Sequence, residues 1–165
     1  MRHIINLIGP TAVGKSTVIQ ALNEHLLHYE VLAIDDFRRR IGAFTPEGES
    51  QAWREVWIAA LKADCSIIES NGTSPHLSMI LERLWRAPGT NILTIVLEAP
   101  AKVCRQRAQQ RSEAGYEPSP LSFVPNKKKW IPLSELAIGL RFTTTVLSPA
   151  QIAEEILARL PVDFR

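Results

Sequence analysis

At 165 residues, 45% of them hydrophobic and 22% charged, the chain is long enough for one well-buried core and too short for two. A formal net charge of +2 is too small to argue by itself for a nucleic-acid partner, and two cysteines, Cys65 and Cys104, exclude a disulfide-stapled scaffold. No apolar run approaches the ~20 residues of a membrane span, and the first residues lack a signal-peptide pattern. The expectation is a cytoplasmic protein with buried free thiols.

His3–Ile8 is a short apolar run suited to a buried strand. It leads into Gly9-Pro10-Thr11-Ala12-Val13-Gly14-Lys15-Ser16-Thr17, which fits G-x-x-x-x-G-K-[ST], a loop that cradles nucleotide phosphates. The chemistry explains the spacing. Gly9 lets the chain turn off the strand, and Gly14 lets backbone N–H groups approach phosphate oxygens. Lys15 reaches the β- and γ-phosphates, and Ser16 offers a hydroxyl to Mg²⁺. Val18, Ile19, Leu22 and Leu26 then recur at helical spacing, and the N-terminus of that helix favours the same anion. Strand, loop and helix in this order predict binding of a nucleoside triphosphate, taken as ATP, with Mg²⁺.

Val31–Ile34 reads as a second strand ending in Asp35-Asp36, followed by a short helical turn at Phe37–Arg40 and a loop over 42–50. Trp53, Val56, Trp57, Ala60 and Leu61 mark the buried stripe of a helix. Ser66–Glu69 is a third strand, again ending in a carboxylate. Ser74 and Pro75 suit the cap and first position of a helix whose inward residues are Leu77, Ile80, Leu81 and Leu84. After Pro88-Gly89, Asn91–Leu97 supplies a fourth strand, and Pro100 opens a helix carrying Arg105, Arg107 and Arg111. Residues 112–130 lose all periodicity and are expected to form a lid. A short helix over 133–138, a fifth strand at Thr143–Leu147 and a capping box at Ser148–Gln151 complete the pattern, with Ile152, Ile156 and Leu160 inward. Five apolar strands alternating with amphipathic helices predict an open parallel sheet covered on both faces, a three-layer α/β/α sandwich. Ligands bind such sheets at the carboxyl ends of the strands, which would bring the phosphate loop, Asp35-Asp36 and Glu69 together.

Phosphoryl transfer needs charge neutralised and an attacking oxygen held in line, and a carboxylate beside a hydroxyl acceptor orients it and takes its proton. Asp35 or Asp36 suits that role. Arg38, three residues beyond Asp35, would share its face and could hold an anionic group of the acceptor. Arg107 and Arg111, four apart, would present guanidinium groups to the transferring phosphoryl group, whereas Arg105 reads equally well as a solvated cation. Glu69 would meet Mg²⁺ through water or serve as an ion-pair partner. Lys127–Lys129 with Trp130 combines charge and an aromatic ring, which suits a polynucleotide, although such runs are more often simply solvated. His3, His25, His28 and His76 lack metal-ligand spacing.

The phosphate loop, Asp35-Asp36-Phe37-Arg38, the strand ending Ile67-Ile68-Glu69, and Pro100 with Arg107 and Arg111 together resemble the small P-loop kinase family. That family includes nucleoside, gluconate, shikimate and adenylylsulfate kinases, and the resemblance is nearest to the kinase domain of phage polynucleotide kinase. It implies a single P-loop kinase domain over 1–165, with Lys15 and Ser16 on phosphates and Mg²⁺, Asp35 as base and Arg38 toward the acceptor, where Asp36 is also expected. Arg111 would be a lid arginine supported by Arg107. The reaction expected is transfer of the γ-phosphate of ATP to a hydroxyl of a metabolite, nucleoside or polynucleotide end. A nucleoside monophosphate kinase and a non-catalytic ATP-gated binding protein are the competing readings.

Overall fold

The computed structural model describes residues 1–42, 45–115 and 138–164. Five strands form one parallel sheet: β1 (Arg2–Ile8), β2 (Glu30–Ala33), β3 (Cys65–Ser70), β4 (Thr90–Glu98) and β5 (Ile138–Thr143), in the order β2-β3-β1-β4-β5. The helices are α1 (Lys15–Asn23), α2 (Ile34–Ile41), α3 (Pro46–Lys62), α4 (Pro75–Arg86), α5 (Ala101–Glu113) and α6 (Pro149–Arg159), with a last 3₁₀ turn at Val162–Phe164. The central strand is β1, buried over His3–Ile8 on both faces. Its alternate residues feed two cores. Ile5 and Leu7 pack with Val18, Leu22, Ile152 and Ile156 of α1 and α6. Ile4 and Ile8 pack with Trp53, Val56, Leu77 and Leu84 of α3 and α4. Both faces are therefore covered, the arrangement that all-parallel sheets require.

The chain leaves β1 for the β2–β3 side and crosses back to β4 and β5, so strand order reverses at β1. The crevice of such a sheet opens at that reversal, beyond the carboxyl end of the strand. The phosphate loop occupies that position, between β1 and α1.

Three helix starts match their sequence signals. Ser74 caps α4 by accepting from the His76 N–H, Pro100 precedes α5, and Ser148 with Gln151 closes a reciprocal capping box on α6. Elsewhere the structure corrects the expectation. Ile34, Asp35 and Asp36 are the first turn of α2 rather than a strand end, placing the two acids at the positive end of the helix and Arg38–Arg40 at its other end. The loop expected over 42–50 is shorter: Thr45 caps α3 through the Gly48 N–H, and Pro46–Ser50 are helical. Trp57 and Leu61 are only partly buried, and Ala52 completes the stripe instead. The fifth strand lies at Ile138–Thr143, and Thr144–Leu147 form the turn into α6. Cys104 is buried but Cys65 is half-exposed. Within the expected lid, Ser112 and Glu113 are the end of α5. The rest of it from 116 on, Lys127–Lys129, Trp130 and residues 133–137 lie outside the described residues.

Candidate functional site

The loop from Gly9 to Thr17 is built around two left-handed residues, Ala12 (φ 61°) and Gly14 (φ 111°). A glycine is required at Gly9 for a different reason. A Cβ there would stand 2.5 Å from the Leu97 carbonyl oxygen, so the loop lies directly against β4. The Gly9 N–H donates to Ser70 O at 3.3 Å and Val13 N–H to Pro10 O at 3.2 Å. Gly14 is also the cap of α1 and supplies no side-chain acceptor, so no side chain at the cap takes up the N–H groups of the helix's first turn. An uncapped N-terminus facing a loop of left-handed residues is an anion site.

Lys15 is 7% exposed, and its Nζ donates to the carbonyls of Gly9 (2.9 Å) and Pro10 (3.2 Å) with Glu69 Oε1 at 3.9 Å. Burial lowers the pKa of the ammonium; the charges of Glu69 and Asp35 oppose this and Arg111 adds to it. Burial likewise raises the Glu69 carboxyl, offset in part by Lys15. The exposed Ser16 hydroxyl donates to Glu69 Oε1 at 3.4 Å.

The loop separates two cavities. One, of about 310 Å³, lies between the loop, α5 and the start of α6; Val13, Gly14, Thr17, Arg107, Arg111 and Thr144 are among its walls. The other, of about 330 Å³, lies on the β2–β3 side and takes in Lys15, Ser16, Asp35, Asp36, Glu69 and Asn71. The expected convergence of loop, Asp35-Asp36 and Glu69 is thus present in one cavity, while the two arginines stand across the loop in the other.

Two arginines have contacts that the sequence did not foretell. Arg38 lines neither cavity. Its guanidinium forms a fork with Glu49 (Nε to Oε2 2.7 Å, Nη2 to Oε1 2.6 Å) and a further bond to Asp35 Oδ1 at 2.7 Å. Glu49 also accepts from Trp53 Nε1 at 2.8 Å. Burial would lower the Arg38 pKa and raise that of Glu49, but their mutual hydrogen bonds and charges outweigh it in both cases. Arg107 donates to Val13 O at 3.0 Å, Thr144 Oγ1 at 2.9 Å and Thr144 O at 3.2 Å, joining α5, the phosphate loop and the turn before α6. Arg111 is exposed and Arg105 points to solvent. Glu49 went unnoticed because it falls in the stretch read as a loop; the Thr45-Pro46 start signal of α3 could have found it.

A family model described as an AAA domain matches residues 4–123. The chain belongs to that AAA domain family. Solved structures that share the fold over nearly its whole length include the Mycobacterium tuberculosis APS kinase CysC in complex with AMPPNP and APS. It is 18% identical, covers 95% of this chain and 96% of its own, and superposes with a TM-score of 0.66. Shikimate kinase from Acinetobacter baumannii in complex with shikimate is 20% identical, covering 95% and 92%, with a TM-score of 0.60. A gluconokinase from Sinorhizobium meliloti is 15% identical, covering 96% and 95%, with a TM-score of 0.58. A search of curated proteins gives no match. The fold is the P-loop α/β fold of small kinases, as the motifs imply; the narrower resemblance to polynucleotide kinase rests on the motifs alone. Among the described residues, no helix is long and apolar enough to cross a membrane.

Proposed function

We propose that this protein is an ATP-dependent kinase that transfers the γ-phosphate to a hydroxyl acceptor. The observation that carries the proposal is the pair of cavities meeting at the phosphate loop, with Asp35 facing Lys15 and Ser16 in one of them. A nucleotide lies along Gly9–Thr17 with its base toward the cavity beside Arg107 and Thr144, and the acceptor enters from the side of Asp35 and Asp36. Lys15 exchanges the carbonyls of Gly9 and Pro10 for phosphate oxygens. Asp35 orients the acceptor hydroxyl and takes its proton as the acceptor oxygen bonds to the γ-phosphorus and the bond to the bridging oxygen of ADP breaks. Arg111, close enough to lower the Lys15 pKa, adds positive charge beside the phosphates. Ser16 and Glu69 present oxygen donors of the kind a hard cation takes, and they would hold Mg²⁺. When bound, Mg²⁺ supplies neutralisation of phosphate charge. We assign 1–165 to a single kinase domain.

The competing monophosphate-kinase reading needs no base, because its acceptor is already an anion. The deciding experiment incubates the protein with ATP, Mg²⁺ and pooled nucleosides, nucleoside monophosphates, sugars and 5′-hydroxyl oligonucleotides, and detects ADP and product by mass spectrometry. Product from a hydroxyl acceptor that vanishes in both Lys15→Ala and Asp35→Asn is the expected result. Product from monophosphates alone that survives Asp35→Asn overturns the choice of base.

A further inference from the structure

The charged groups on the acceptor side of the site are committed to one another. Three carboxylates, Asp35, Asp36 and Glu69, line that cavity, against two cations, Lys15 and Arg39. Neither cation is uncommitted. Lys15 stands 3.9 Å from Glu69 and, on the reading above, belongs to the nucleotide phosphates. Arg39 is paired with Asp36 at 2.8 Å and is more than half exposed, so its charge is well screened. A further cation, Arg38, is bonded to Asp35 without lining the cavity, and it carries two carboxylates, Glu49 in a bidentate fork and Asp35 itself. With 11% of its side chain exposed, it has no face to offer an incoming anion. The remaining described walls are the neutral polar groups of Ser16, Ser70 and Asn71 and the apolar side chains of Ile19, Val31, Ala33 and Ile34.

We infer that the acceptor is a hydroxyl compound carrying no phosphate or carboxylate of its own. The inference rests on the kinase reading and narrows it. An anionic acceptor brought beside Asp35 and Asp36 would find each cation lining that cavity already held by a carboxylate, with no other described cation among its walls to receive it. An uncharged polyol or nucleoside meets hydrogen-bond acceptors at the carboxylates and an amide at Asn71, and can lay its apolar face on Val31 and Ile34. Glu49 is then a specificity-determining residue that never touches substrate: by occupying the Arg38 fork, it keeps a guanidinium from becoming an anion-binding group. Arg38 in turn is a positioning residue that holds the Asp35 carboxylate.

The test uses matched acceptors that differ by one anionic group: nucleoside against nucleoside monophosphate, and sugar against sugar phosphate. The ratio of kcat/KM within each pair is measured for wild type and Glu49→Gln. Because the readout is a ratio within one protein, partial loss of folding in the variant cancels. Wild type is expected to favour the uncharged member at least tenfold. Glu49→Gln, which releases part of the Arg38 fork, is expected to narrow that preference severalfold through a lower KM for the anionic member. A wild-type preference for the anionic member would overturn the inference and leave the kinase standing. A preference for the uncharged member that Glu49→Gln does not move would overturn the role given to Glu49. ATP binding with no transfer to either member of any pair would overturn the kinase reading and this inference with it.

Discussion

Arg107 shows how one side chain can tie together three segments around the phosphate loop. Its three hydrogen bonds reach Val13 in the phosphate loop and Thr144 in the turn before α6, two segments far apart in sequence. Val13 lies between the two left-handed residues that shape the loop, so a guanidinium holding its carbonyl fixes the direction of the N–H groups beside it. Hydrogen bonds from a charged donor are worth about 1.5–3 kcal/mol each, of which part supports the fold and part the loop's shape. Arg107→Met is therefore expected to weaken ATP binding about tenfold, or about 1.4 kcal/mol, measured by titration calorimetry. Arg107→Lys, which keeps the charge but has no planar fork, should recover only part of the loss. Equal affinity in Arg107→Met and wild type would remove Arg107 from the nucleotide site. The sequence marked Arg107 by its spacing from Arg111, a signal for a shared helix face, and nothing in that spacing reveals a bond to a loop ninety-four residues earlier.

At the scale of elements, the α2–α3 pair carries the most information that was not legible beforehand. The phosphate loop, the helix starts at Ser74 and Ser148 and the five-stranded parallel sheet all follow from local signals: a motif, capping residues and apolar runs. Asp35 and Asp36 were placed at a strand end because Val31–Ile34 looks strand-like, whereas their side chains gain more at the N-terminus of a helix. The displaced β5 has a similar cause. Three consecutive threonines favour a strand by their branching, yet the ladder with β4 ends at Thr143, and Thr144 turns to meet Arg107. The Arg38–Glu49 pair that joins α2 to α3 makes a prediction in pH. The Glu49 carboxyl, despite burial that would raise it, is held below its usual 4.5 by the bonds and charge of Arg38 and the Trp53 N–H, with His76 of α4 acting in the same direction. A carboxyl whose native pKa is depressed binds fewer protons folded than unfolded, so its stabilisation is present above the usual value and is lost as pH falls through the native one. Glu49→Gln should lower stability at pH 7 by about 2 kcal/mol, or about 4–8 °C in Tm for a chain of this size. The difference from wild type should shrink as pH is taken below 4.5, as read by thermal melts from pH 7 to 3. A difference that stays constant with pH would mean the pair's contribution is packing rather than charge.

For the molecule as a whole, the two ends of β1 do different work. Its carboxyl end delivers the phosphate loop, while its amino end is closed by the last described turn of the chain. Phe164 is 4% exposed in the core shared by α1 and α6; its ring centroid lies 4.6 Å from that of His3, and its carbonyl accepts from the Tyr29 hydroxyl at 2.7 Å. This turn ties β1 to the segment leading into β2, across more than a hundred residues of sequence. Removing a buried phenyl ring from a core costs about 3–5 kcal/mol, less where the backbone can relax into the space. A turn this near the end of the described chain can relax, and the main-chain bond from Tyr29 survives the substitution. Phe164→Ala is accordingly expected to lose about 2–3 kcal/mol and about 4–12 °C in Tm. Val162→Ala, at a side chain 83% exposed in the same turn, should be neutral. Because the loop is at the far end of the strand, ATP affinity measured well below either Tm should be the same in Phe164→Ala as in wild type. Loss of affinity at that temperature would instead mean that β1 transmits strain along its length, and that closing its amino end is part of how the phosphate loop is held in shape.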